Sequence, residues 1–201
     1  MRKKWLLHPR LPVRFGALFA VMLVCFLVSW TLSYYFLPEG ILQAKTGAGF
    51  FSQLMESDNM YIEFLFVFMY NLIAFVFIIA ASRMLKVKDY PLGYIIPVYL
   101  GIMYGAVLGT NSFATTLAER LAPSLLFLAR SGIYEISAYT LMAVSTLKIS
   151  LYRGMGFFPP RSEAITPRPS WKAMNWTGFV LAILLLFLAN GIEIFQLFLV
   201  R

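Results

Sequence analysis

Any chemistry in this chain has to come from a few polar residues set inside long apolar runs. Glu135 stands in Ser131-Gly132-Ile133-Tyr134-Glu135 at the head of one run, Asn71 in the middle of another and Asn111 at the end of a third. In the last run Asn190, Glu193 and Gln196 follow one another at intervals of three, which sets them along one helix face. A carboxylate at membrane depth costs on the order of 3 kcal/mol on insertion scales, so it is paired, protonated or turned toward water. Three roles are open to Glu135: a structural clasp to Arg130, Arg120 or Asn111, a contact for a proton or substrate, or a docking point for a partner. Glu193 is close enough to Arg201 for its carboxylate to reach the water interface.

The groups needed for catalysis do not come together. The single histidine, His8, precedes the first apolar run, on the opposite side of the bilayer from Ser131 and Glu135, so a Ser/His pair cannot assemble. The chain has no His-Glu-x-x-His, no glutamate pair of the membrane CAAX-protease kind, no His/Asp/Cys set spaced as metal ligands and no phosphate-binding loop. Cys25 is alone and excludes an internal disulfide. The 34 aromatic residues (19 Phe, 11 Tyr, 4 Trp) admit a pigment, quinone or lipid contact, but haem or chlorophyll ligation by imidazole within the runs is not expected. The sequence therefore predicts a non-enzymatic chain with no catalytic residues, no metal site and no cofactor.

The elements that position these residues follow from composition. With 60% hydrophobic residues, 13% charged and a mean hydropathy of +0.76, the solvent for most of the chain is lipid. Apolar runs predict spanning helices over about 15–37, 61–81, 92–110, 132–147 and 173–200, all in one integral membrane domain covering 1–201. Residues 111–130 carry Glu119, Arg120 and Pro123 and read as an interfacial or re-entrant helical segment. The fold class is all-α: a polytopic transmembrane bundle of about five spanning helices plus that segment. The run from Phe15 to Leu37 is too long for a signal-peptide core and reads as a retained helix. Residues 153–172, with Gly154, Gly156, Pro159, Pro160, Pro167 and Pro169, read as a mobile cytoplasmic loop.

Basic residues sit at the ends of the runs, where they mark topology and not a nucleic-acid surface. On this arrangement 13 of the 17 Lys and Arg fall on the side of the N-terminus and 4 on the other, placing the N-terminus in the cytoplasm and the C-terminus outside. Within the third run Gly101, Gly105 and Gly109 recur every fourth residue and line one face, where another backbone can approach closely. That seam serves a tight contact within the chain, a homodimer, or a path past which substrate moves.

From about Tyr61 to Arg153 the order of features resembles the stage II sporulation protein M family. The pieces are a helix with an interior Asn (Phe68-Met69-Tyr70-Asn71-Leu72), the glycine helix from Leu100 to Gly109, and Gly132-Ile133-Tyr134-Glu135 opening a helix rich in small residues. In that family the last element commonly reads Pro-His-Gly-x-x-Glu; here Arg130 and Ser131 stand in place of Pro and His, so no imidazole role carries over. The resemblance implies a non-enzymatic, multi-pass component of a bacterial or archaeal cytoplasmic membrane, with Asn71, Gly101, Gly105, Gly109, Gly132 and Glu135 as the positions that matter. It also implies a scaffold or assembly subunit that contacts membrane lipids and other membrane subunits or a second copy of itself. The alternative is a permease subunit working with a separate ATPase.

Overall fold

The computed structural model describes residues 5–43, 59–113, 119–124, 132–156, 161–167, 170 and 173–200. Long apolar runs leave the backbone no partner in lipid except itself, so they coil into helices. The helices are α1 (Leu11–Phe36), α2 (Met60–Met84), α3 (Ile95–Gly109), α4 (Gly132–Ser145) and α5 (Ala173–Val200). Pro12 begins the first turn of α1, where a missing N–H costs nothing. The Asn59 side chain caps α2 by accepting from the amides of Tyr61 and Ile62 at 2.9 and 3.4 Å. Asn111 ends α3 in the left-handed region (φ 48°), and the Ser112 amide closes back on the Val107 carbonyl at 3.0 Å.

Among the described residues four helices are long and apolar enough to cross a membrane: Leu11–Phe36, Met60–Met84, Leu92–Gly109 with its leading 3-10 turn, and Ala173–Gln196. The chain is a multi-pass membrane protein of mostly helical fold, as the sequence predicts. The expected span at 132–147 differs in length. α4 has 14 residues, about 21 Å at the usual helical rise, against a hydrocarbon layer of roughly 30 Å. Within 111–130, where a helical segment is expected, residues 111–113 and 119–124 are irregular; the remainder lies outside the described residues.

α4 is the centre of the bundle and touches α1, α2, α3 and α5. One apolar core joins Leu11 and Leu18 of α1, Phe75 and Ile78 of α2, Tyr139, Met142 and Val144 of α4, and Ala182 and Leu186 of α5. A second joins Met22, Phe26 and Trp30 of α1 to Leu108 of α3 and Ile136 of α4.

At the end of the bundle where α1 and α5 begin, the two connections between helices form one sheet. Its strands are β1 (Leu85–Val87), β2 (Tyr90–Pro91), β3 (Tyr152–Gly156) and β4 (Arg161–Ala164), in the order β2-β1-β3-β4. β1 pairs antiparallel with β2 across the Lys88-Asp89 turn and parallel with β3, and β3 pairs antiparallel with β4. This corrects the expectation of a mobile loop over 153–172, because most of its first half is strand. The Leu151 amide, bonded to the Arg83 carbonyl at 2.7 Å, fixes the register of the two connections.

Candidate functional site

The glycine seam is filled by the chain itself. α1 and α3 run parallel and pack along it, and a Cβ at Gly101 would lie 3.0 Å from Met22 Sδ. At Gly105 it would run into the Phe26 carbonyl oxygen. At Gly109 it would lie 2.6 Å from the Trp30 carbonyl oxygen and 2.8 Å from the Tyr34 amide. Of the readings open to the sequence, the contact within the chain holds for this face. Ser29 Oγ adds a hydrogen bond across the seam to the Ile102 carbonyl, 2.7 Å. Gly132 opens α4 against a different neighbour, since a Cβ there would lie 3.0 Å from the Tyr104 hydroxyl of α3.

Beyond the seam, at the end opposite the sheet, Arg120 closes both helices. Its guanidinium donates to the carbonyls of Gly109 on α3 and of Ser33 and Leu37 at the end of α1, and rests 5.1 Å from the centre of the Tyr34 ring. Two parallel helices present two negative dipole ends here, which a cation stabilises. Asn111 Nδ2 donates to Glu39 Oε1 at 2.6 Å, and Trp30 Nε1 donates to the Leu121 carbonyl at 3.0 Å. Arg120 and Asn111 therefore serve this cap, and neither clasps Glu135. Arg130 is outside the described residues.

Glu135 belongs to a polar layer in the middle of the bundle. Thr146 Oγ1 meets Ser82 Oγ at 2.8 Å and the Tyr139 ring meets the Phe75 ring at 5.8 Å, so α4 and α2 run side by side at a fixed offset of 64 residues. The same offset sets Glu135 level with Asn71, the midpoint of the 25-residue α2. Asn71 Nδ2 donates to Asn190 Oδ1 at 2.7 Å, tying α2 to α5, and Asn190 Nδ2 returns to the Leu186 carbonyl at 2.9 Å. The Tyr139 hydroxyl donates to Glu135 Oε1 at 2.6 Å. Glu193 is within electrostatic reach of both Glu135 and Tyr139, and Tyr70 of both as well. Glu193 thus joins the interior layer, away from the water interface expected for it. Gln196, on the same face by spacing, is exposed.

Sequence reasoning found Asn71, Asn190, Glu135 and Glu193 but not that they share a layer, and it missed Tyr139 and Tyr70. Tyr139 had a signal, since it stands four residues after Glu135 on the same helix face. Chemically the layer joins two carboxylates, two phenols and two amides at mid-depth. It can hold protons and accept hydrogen bonds from a polar species, and it carries no nucleophile–base pair. Among the described residues no group of three or more His, Cys, Asp or Glu could hold a metal ion.

The sheet is a third polar region. Lys86, Lys88 and Arg153 stand on it against Asp89 and Glu163, with Arg153 and Asp89 forming a half-exposed ion pair at 4.0 Å. Partial burial, and then the nearby Arg153 charge, push the Lys86 ammonium below its usual pKa, while Asp89 works against the shift.

No curated protein and no solved structure matches the chain. The family model for Stage II sporulation protein M matches residues 18–196, from the first turns of α1 to the last turns of α5, and takes in the seam, the polar layer and the sheet; the chain belongs to the stage II sporulation protein M family.

Proposed function

We propose that this protein is a non-enzymatic membrane subunit that holds a water-phase partner against the bilayer through its sheet, with that end in the cytoplasm. The observation that carries the reading is the sheet itself. Two helix connections that could have been separate loops are pinned to each other, and they build one hydrogen-bonded surface at the end of the apolar bundle. Tyr152, Arg153, Ser162 and Glu163 are exposed on it, beside the exposed Lys88. The mutual repulsion of Lys86 and Arg153 is relieved when an acidic group is laid beside them, so the partner surface that fits is acidic. Other membrane subunits and lipid cover the exposed apolar faces of α1, α2 and α5.

The test is affinity purification of the full-length protein in mild detergent from its native membrane, comparing wild type with a Lys88→Glu, Arg153→Glu variant. Recovery of the cytoplasmic partner should fall about tenfold or more, as expected when two charges at an interface are reversed. Equal recovery would remove the sheet as the docking surface.

A second reading is favoured by the polar layer. Glu135 and Glu193 at mid-depth suit the membrane half of a permease, with an ATPase as the partner on the sheet. Glu135→Gln is the discriminating variant: loss of uptake with full partner recovery selects the permease, and full uptake selects the scaffold.

A further inference from the structure

The register of the sheet sorts its side chains onto two faces. Residues paired across strands point the same way, and successive residues of one strand point opposite ways. Leu85 pairs with Tyr152, which pairs with Ala164, and Val87 pairs with Tyr90 and Gly154. Lys86 pairs with Arg153, which pairs with Glu163. One face therefore carries Leu85, Val87, Tyr90, Tyr152 and Ala164, and the other Lys86, Arg153 and Glu163. A Cβ at Gly154 would lie 3.8 Å from Leu85 Cδ1, which sets that leucine on the first face. This apolar and aromatic face is open: Tyr152 is 47% exposed, Ala164 is exposed, and Leu85, Val87 and Tyr90 are only half-buried.

The sheet starts where the bundle leaves the hydrocarbon. The exposed apolar surface of α2 runs through Phe77 to Met84, which is 66% exposed, and the next residue, Leu85, opens β1. β1 has three residues, which make about 10 Å of strand. The headgroup layer of one leaflet is roughly 5–8 Å deep, so a strand this short stays in that layer or close above it. At the same end of the bundle Trp176, in the first turn of α5, is 53% exposed, as suits the aromatic belt at a membrane–water boundary.

We propose that the sheet is a membrane-surface element, with its face of Leu85, Val87, Tyr90 and Tyr152 laid in the lipid interface and its charged face turned to water. The occupant of the open face is lipid because that face continues the lipid-facing surface of α2 without a break in the chain. An amphipathic element at this depth buries its apolar side at the boundary of headgroups and acyl chains. Tyrosine suits the position, with an apolar ring for the lipid and a hydroxyl for the headgroups. The charged face is then the side that a water-phase protein can reach, whichever protein that is. The assignment of faces goes beyond the docking reading and does not depend on it.

The test is site-directed spin labelling of the full-length protein, with Cys25 replaced by alanine, in vesicles of phosphatidylethanolamine and phosphatidylglycerol. Labels at Tyr152→Cys and Val87→Cys report the apolar face, and labels at Arg153→Cys and Lys86→Cys the charged one. Collisions with oxygen, which concentrates in lipid, should exceed those with a water-soluble nickel chelate severalfold at 152 and 87, and the ratio should reverse at 153 and 86. Each neighbouring pair reads the alternation by itself, so the loss of one variant to misfolding leaves the other pair to decide. The same ratio at every position would overturn the proposal. Shielding of 152 and 87 from both reagents would overturn it as well, by showing protein in place of lipid on that face. Either result leaves the docking test on Lys88 and Arg153 as it stands.

Discussion

The bundle holds its two halves together by different means. Between α1 and α3 the contact is close packing at three glycines: the Met22 side chain fills the space at Gly101, and the backbone of α1 at Phe26 and Trp30 fills it at Gly105 and Gly109. Among α2, α4 and α5 it runs through side-chain polar groups, with Asn71 to Asn190, Thr146 to Ser82 and Tyr139 to Glu135. Lipid offers helices no hydrophobic reason to associate, so each half uses one of the two remaining forces, close van der Waals packing or hydrogen bonding. The first is unforgiving of added volume and the second of a lost partner.

That difference fixes the order of expected effects. Gly105→Val should be the most damaging, by about 3 kcal/mol or more, because the added carbons meet the Phe26 carbonyl and no flexible side chain can yield. Denaturation in mixed micelles measures it, and a midpoint equal to wild type would mean that α1 and α3 do not pack as described. Asn71→Leu should cost about 1–2 kcal/mol, since it orphans the Asn190 amide. Adding Asn190→Leu should recover much of that loss, and simple additivity of the two would show that the pair is not coupled. Arg120→Gln should cost about 1 kcal/mol by uncapping both helix ends, measured as a lower unfolding midpoint, whereas an unchanged midpoint would assign Arg120 no capping role. Ser29→Ala removes a single polar bond from the apolar half and should cost the least, about 0.6 kcal/mol, the average for hydrogen bonds between membrane helices. If it costs more than Asn71→Leu, the contrast between the halves fails.

The long apolar runs announced α1, α2, α3 and α5 to within a few residues, because twenty or more apolar residues in a row admit one structure in lipid. The glycine seam was equally plain, since a period of four on a helix already defines a face. The sheet was not legible. Its strands have two to five residues, β4 reads Arg-Ser-Glu-Ala with no apolar alternation, and the pairing of Leu85 with Tyr152 reaches across α3 and α4. For the candidate site the residue types stood out but their partners did not. Glu135 looked to Arg120 and Asn111, which are near in sequence, yet those two cap α1 and α3 while Glu135 is held by Tyr139. Glu193 seemed free to reach water because it comes near the end of the last run, and only the level set by Asn190 brings it inside. Partner choice in such a layer depends on helix depth, which no local pattern encodes.

The parallel seam also bears on how the chain is made. Met22 and Gly101 touch, but 78 residues separate them, and α2 must enter and turn back before α3 exists. At synthesis rates of about 5–20 residues per second, α1 waits roughly 4–16 s in the bilayer with its seam-facing side uncovered. During that interval Met22, Phe26 and Trp30 face lipid or the insertion machinery, and the closing of α1 onto α3 is a post-insertion step in which a helix already across the membrane is recaptured by one that arrives later.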